Sequence, residues 1–218
     1  MNALRSEQLS RRLWLAMLVI MLSVALISLP LIVSSYRSYQ KSSEALQEIQ
    51  SLKMVAELSN KISRERAPAN NAMSSPQDEL PEQLGALRKY RAEADIQMQQ
   101  TAEVLRRTGF AGAARELELN FKPALALGRQ AVDRYIALPY GQRRQEQLDQ
   151  AIVSMFTAWD QSHAVLQHVV SQSKGKDTAL SNYYTLILLL ADLRDQAGRT
   201  ASNIMAAVSF NEPIPEEN

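Results

Sequence analysis

Residues 146–170 read EQLDQAIVSMFTAWDQSHAVLQHVV, and the spacing of the apolar positions decides the fold class. Leu148, Ile152, Met155, Trp159, Ser162, Leu166 and Val169 recur at alternating fours and threes. That repeat lines one face of an α-helix and forms a seam against neighbouring helices. A half-buried strand would need alternation with a period of two, and no stretch of the chain sustains it. The window therefore predicts a helix from about Arg143 to Ser173, packed among others.

The same period extends in both directions. Toward the C-terminus, Leu186, Leu190, Leu193, Ala197, Thr200 and Ile204 mark a seam on a helix over 178–210. Toward the N-terminus, Leu117, Phe121, Leu125, Val132 and Tyr135 mark one over 111–137. Pro123 lies inside that helix; it takes the hydrogen bond from the carbonyl of Leu119 and is expected to kink it. Leu80, Leu84, Leu87, Arg91, Ala94, Met98, Thr101 and Leu105 mark another, which starts near Pro81, a favoured first-turn position, and ends at Thr108 and Gly109. Ahead of the turn SSPQDELP, a first helix runs to about Met73 with Leu46, Ile49, Leu52, Val55, Leu58 and Ile62 on one face. The fold class read from these periods is all-α: an antiparallel bundle of four to five long helices over 36–210, with 211–218 a linker or the start of a further helix.

The N-terminal end has a different character. Residues 13–33, LWLAMLVIMLSVALISLPLIV, carry no charge over 21 positions, and roughly 20 helical residues cross a bilayer core. This is longer than the apolar core of a cleaved signal, and no small-x-small site follows Pro30. Arg5, Arg11 and Arg12 precede it against a lone Glu7, so the positive-inside rule keeps 1–12 in the cytoplasm and puts the rest outside. The sequence thus predicts a single-pass membrane protein with a cytoplasmic N-terminus and its helices on the far side of the membrane. The apolar run 183–191 is too short to be a second span.

Composition excludes several chemistries. There is no cysteine, so disulfides, thiolate nucleophiles and Cys-ligated metals are ruled out. With 24 basic and 23 acidic side chains, the chain lacks the charge excess of a nucleic-acid binder. His163 and His168, five apart, stand about 140° apart around a helix and cannot chelate one ion as an i, i+4 pair. No nucleophile elbow, metalloprotease helix, phosphate loop or dinucleotide fingerprint occurs. The reading is a non-enzyme without cofactor or metal.

Two stretches stand out instead. In residues 61–73, KISRERAPANNAM, a charge-dense helix meets Pro68, whose ring displaces the carbonyl of Arg64 and predicts a local irregularity beside arginines. In residues 193–205, LRDQAGRTASNIM, Gly198 with Ala197 and Ala201 thins the helix and admits a close neighbour. Arginine offers paired donors to carboxylate or nitrate oxygens, so Arg64, Arg66, Arg194 and Arg199 are the candidate ligand-binding residues for a small anion. Arg64 and Arg66 are about 200° apart around a helix, so at most one can face inward. Glu57 with Lys61, Lys61 with Glu65, and Asp195 with Arg199 read as helix-surface ion pairs. Arg91 sits in an apolar column and is expected at its edge or in a buried pair.

Glu65-Arg66-Ala67 followed by Pro-Ala-Asn, and Asp195-Gln-Ala-Gly-Arg with Ser202 and the closing Phe210-Asn-Glu-Pro, resemble the E-R-G and A-G-x-E-R signatures of nitrate- and nitrite-sensing domains. More broadly they resemble the periplasmic helical-bundle input domains of bacterial chemoreceptors and diguanylate cyclases. Ala67 stands where that family usually has glycine, and Thr200 where it often has glutamate. The resemblance implies an all-helical sensor, usually a homodimer in the membrane, in which ligand or partner binding shifts helices and controls a cytoplasmic output. The alternative is a membrane-tethered structural or assembly bundle that binds another envelope protein.

Overall fold

The computed structural model describes residues 2–173 and 178–211. Residues 174–177, in the connection before the last helix, and 212–218, most of the expected linker, lie outside the described residues. Every regular element among the described residues is helical: α1 (Asn2–Ser74), α2 (Leu80–Arg107), α3 (Ala111–Glu116), a π-turn (Leu117–Phe121), α4 (Lys122–Ala137), a short 3-10 turn (Tyr140–Gln142), α5 (Gln145–Ser173) and α6 (Thr178–Phe210). The all-α class and the long apolar N-terminal helix are as the sequence predicts.

The chain divides into two compact units, Met1–Leu46 and Gln47–Asn218. The first holds the start of α1. Its apolar side chains from Leu13 to Val33 are exposed, and by length and composition the helix is long and apolar enough to cross a membrane.

In the second unit the helix ends follow local chemistry. Pro81 occupies the first turn of α2, while Arg106 and Arg107 in the last turn face the negative end of the helix dipole. Gly109, at φ 85°, reverses the chain there, a conformation that a residue with a Cβ adopts only with strain. At Pro123 the expected kink takes a specific form. The five-residue π-turn ends just before α4, which has the proline in its first turn, so the wider turn absorbs the missing donor. Leu117 and Phe121 of that turn are both buried. At Pro68 the expected irregularity does not occur, and α1 runs on as α-helix to Ser74. Pro68 itself is buried, and Ala69, Ala72 and Met73 after it are buried too, so packing holds the turn despite the lost bond.

Contacts fix the directions of the helices. Lys61 meets Glu93 and Ser51 meets Thr108, so α1 and α2 run oppositely. Arg91 meets Asp133 and Arg129 meets Asp95, so α2 and α4 do as well. Asp160 with Arg199 and His163 with Asp192 set α5 against α6. Glu48 with Tyr184 and Asn70 with Ser202 make α6 parallel to α1.

Two apolar cores result. One gathers Val55, Leu58, Leu105, Phe121, Leu166 and Tyr184 with their neighbours. The other gathers Met73, Leu87, Val132, Leu148, Ile152 and Ala206 with theirs. The seams read on α2, α3–α4 and α5 face these cores.

The seam read on α6 does not. Leu186, Leu190, Leu193, Ala197, Thr200 and Ile204 are all exposed, and Tyr184, Ile187, Leu188, Ala191 and Ala206 turn inward instead. This helix carries apolar residues on two faces, and periodicity alone cannot say which one is buried. Leu46 and Ile49 are likewise exposed.

Leu58 is among the most deeply buried side chains whereas Leu127 lies on the surface. Leu58→Ala is expected to cost about 2–5 kcal/mol in urea unfolding, and Leu127→Ala within about 0.5 kcal/mol of zero.

Candidate functional site: a charged layer between the two cores

Between the residues that each helix gives to the two cores sits a polar layer. On α1 it is Glu65 and Arg66, between Ile62 and Ala69; on α2 it is Arg91, between Leu87 and Ala94. On α4 it is Arg129, between Leu125 and Val132, and on α6 it spans Asp195 to Ser202.

One half of the layer centres on the buried Glu65. Its carboxylate accepts from Arg91 Nε at 3.2 Å and from Arg129 Nε and Nη2 at 2.9 and 2.7 Å. Arg91 also donates to Asp133 at 2.8 and 3.0 Å, and Arg129 to Asp95 at 2.6 Å. Two R-x-x-x-D repeats, Arg91 with Asp95 and Arg129 with Asp133, therefore pair across α2 and α4 rather than along them, with Glu65 shared between them. Burial pulls the Arg129 guanidinium toward its neutral form, but hydrogen bonds and charge from Glu65 and Asp95 outweigh it and raise its pKa.

The other half centres on Arg66, only 6% exposed. The surface of α6 has no side chain at Gly198, and the guanidinium lies in that gap. A Cβ at 198 would stand 2.7 Å from Arg66 Cζ and 2.8 and 3.0 Å from its two Nη atoms. Trp159 and Phe156 of α5 flank the cation, with ring centroids 5.4 and 5.9 Å from Cζ.

Asp195 Oδ1 approaches Arg66 Nη2 to 3.0 Å. Yet neither Nη1 nor Nη2 of Arg66, nor Asp195 Oδ1, forms an aligned hydrogen bond. The contact is a close ion pair. Asp195 Oδ2 is held by Arg199 Nε at 2.6 Å. Arg199 also reaches Asp160 and lies 4.6 Å over the Phe156 ring.

Burial is the main cause that lowers the Arg66 pKa from its ordinary value; Asp195 opposes it, and Arg199 and Arg194 add to it. For Arg199, burial is outweighed by Asp195 and Asp160, and the pKa rises. Two arginines, Arg66 and Arg199, face two aspartates, Asp195 and Asp160, in this half of the layer. One turn further on, Asn70 Nδ2 donates to Ser202 at 3.0 Å, while Asn70 Oδ1 has no partner.

A cavity of about 20 Å³ opens beside both halves, lined by Glu65, Arg66, Arg91, Arg129, Met155 and Trp159 among others. That is room for about one water.

The structure brings together three of the residues singled out in the sequence, Arg66, Gly198 and Arg199. The remaining candidates fall elsewhere. Arg64 is exposed and stacks over Tyr90 at 5.2 Å, as the angular offset from Arg66 requires. Arg194 is exposed and donates to Ser63 at 3.0 Å. Pro123 lies outside the layer. Of the expected surface pairs, Asp195 with Arg199 forms, whereas Lys61 turns to Glu93 at 2.9 Å and Glu65 to Arg91 and Arg129. Arg91 takes the buried-pair alternative.

Sequence reasoning missed Arg129 and the inward role of Glu65; for Arg129 the doubled R-x-x-x-D spacing was the available signal. Among the described residues no group of three or more His, Asp or Glu could hold a metal ion. No family model, curated protein or solved structure matches this chain.

The packing of Gly198 against Arg66 makes their effects interdependent. Gly198→Ala alone is expected to destabilise by about 1–3 kcal/mol despite alanine's better helix propensity, because the guanidinium must move. In an Arg66→Ala background the same change should be neutral or stabilising, and a double-mutant cycle in urea measures the difference. Glu65→Ala, which strands two arginines, should cost about 3–5 kcal/mol.

Proposed function

We propose that this chain is the signal-input module of a bacterial membrane receptor: a helical bundle outside the inner membrane, anchored by residues 13–33, that binds a small anion between α1, α5 and α6. The reading includes a single-pass topology with a cytoplasmic N-terminus, a homodimer and no enzymatic activity. The resemblance of residues 65–70 and 195–199 to nitrate- and nitrite-sensing signatures supports the ligand class.

One observation carries the proposal. Arg66 is a buried guanidinium whose Nη atoms make no aligned hydrogen bond, set against the Trp159 and Phe156 rings. A planar anion would satisfy those donors in pairs. The cavity alone is too small for one, so the anion takes the place of Asp195 against Arg66, while Asp195 keeps Arg199. Arg66 belongs to α1 and Asp195 to α6, so this exchange changes what joins the two helices. α1 also carries the apolar anchor, and a slide or tilt of α1 is the output. A ligand that prefers the exchanged state shifts the population toward it by the difference in its two affinities.

The test is thermal unfolding of the full chain in detergent with nitrate, nitrite, amino acids and organic acids. Binding to the folded state at a hundredfold excess over Kd is expected to raise Tm by about 5 °C or more. Arg66→Ala should abolish the shift, while Arg64→Ala, on the surface, should retain it. No shift with any of these anions, or a shift indifferent to Arg66, contradicts the proposal.

A further inference from the structure

The outward face of α6 is apolar along nearly its whole length. Leu186, Leu190, Leu193, Ala197, Ile204 and Val208 form one stripe, with the five larger residues 40–72% exposed. Tyr183 and Leu189 extend and widen it. The spacing of fours and threes keeps these side chains on one side through about six turns, some 33 Å. No charged residue stands in the stripe, and Ala197 and Ala201 keep its middle low enough for a second helix to approach closely.

From the fractional exposures, the stripe with Tyr183 and Leu189 presents about 800 Å² of mostly apolar surface, the amount that each partner contributes to a standard stable interface. Monomeric proteins usually leave no apolar patch larger than about 300–600 Å² open to water. Within the described part of the second unit, no other helix exposes so long an apolar face.

We propose that this stripe is the interface for a second copy of the same chain, paired α6 to α6 about a two-fold axis. The argument for self-pairing is geometric. A straight apolar helical ridge with a regular four-three repeat is covered by another ridge of the same repeat, and a copy of α6 supplies one of identical length and spacing. The dimer buries each leucine against its own counterpart and brings no charge into the contact. The parallel sense of the pair rests on the membrane reading above, since two anchored copies point the same way. The burial argument itself does not depend on that reading or on the anion site.

The absence of cysteine from the chain makes the test clean. Single cysteines are introduced at Leu190, Leu193, Ala197 and Ile204 on the stripe and at Thr185 and Gln196 off its centre, in the full chain in detergent, and oxidised with copper–phenanthroline. Disulfide-linked dimers are expected at all four stripe positions, in several-fold higher yield than at the two controls. Leu193→Asp should abolish linkage through Ala197→Cys while leaving the urea-unfolding midpoint of the monomer in place, as befits an exposed site. Three results would overturn the proposal. One is equal yields at stripe and control positions; a second is no linkage at any position in a folded chain. The third is stripe cysteines shielded from maleimide by lipid vesicles but not by raised protein concentration. The thermal-shift test of Arg66 is read in the unmodified chain, so either idea can fail while the other stands.

Discussion

A guanidinium buried between two helices, without hydrogen bonds for its Nη donors, constrains everything around it. Arg66 must remain near a negative charge, because an unpaired cation in the interior costs several kcal/mol. Asp195 supplies that charge from α6, and Gly198 supplies the space. Shifting α6 by one residue along α1 would turn Asp195 away from Arg66 and present a side chain in place of the gap. The pair therefore sets the register of α1 against α6 more strictly than the apolar contacts on either side, which tolerate exchange of one aliphatic surface for another.

Glu65, the preceding residue, does the same for α2 and α4. Its carboxylate is shared by Arg91 and Arg129, each of which reaches the aspartate one turn from the other's position. Such pairing is satisfied in a single alignment of three helices. Two consecutive residues of α1 thus face different neighbours and hold them by charge, in a layer where the apolar cores above and below give way. The layer contributes more to alignment than to stability, because the desolvation of buried ions consumes most of their mutual attraction.

Much of the fold is legible in the sequence. The four-three repeat of Leu148 to Val169 has a single apolar face, and that face is buried. The repeat of Leu186 to Ile204 is just as regular yet points outward, because α6 has a second inward face built from Tyr184, Ile187, Ala191, Ser202 and Ala206, with Asp195 and Gly198 among them. Hydrophobicity ranks the outward face higher, and the polar chemistry that draws the other inward is visible only once α1 is placed beside it. Arg66 and Gly198 could be singled out from the residues themselves, one by its donor fork and the other by its missing side chain. Their contact could not, since they are separated by more than 130 positions. Charged residues four apart, such as Lys61 with Glu65, invite a reading as surface pairs. Here both side chains turn to α2 and α4 instead, where oppositely charged residues occupy the facing positions.

In the proposed function another anion takes the place of Asp195 against Arg66, and the exchange would be felt along both α1 and α6. The most direct measurement is the side-chain Nε and Nη resonances of ¹⁵N-arginine-labelled protein, with Arg66 assigned by its loss in Arg66→Lys, during titration with sodium nitrate. The account predicts that the Arg66 signals, slow to exchange with water in the free protein, shift in saturable fashion while those of Arg143, buried by its bonds to backbone carbonyls, stay still. Arg66 signals that do not move, or that move only in parallel with every exposed arginine, would contradict it.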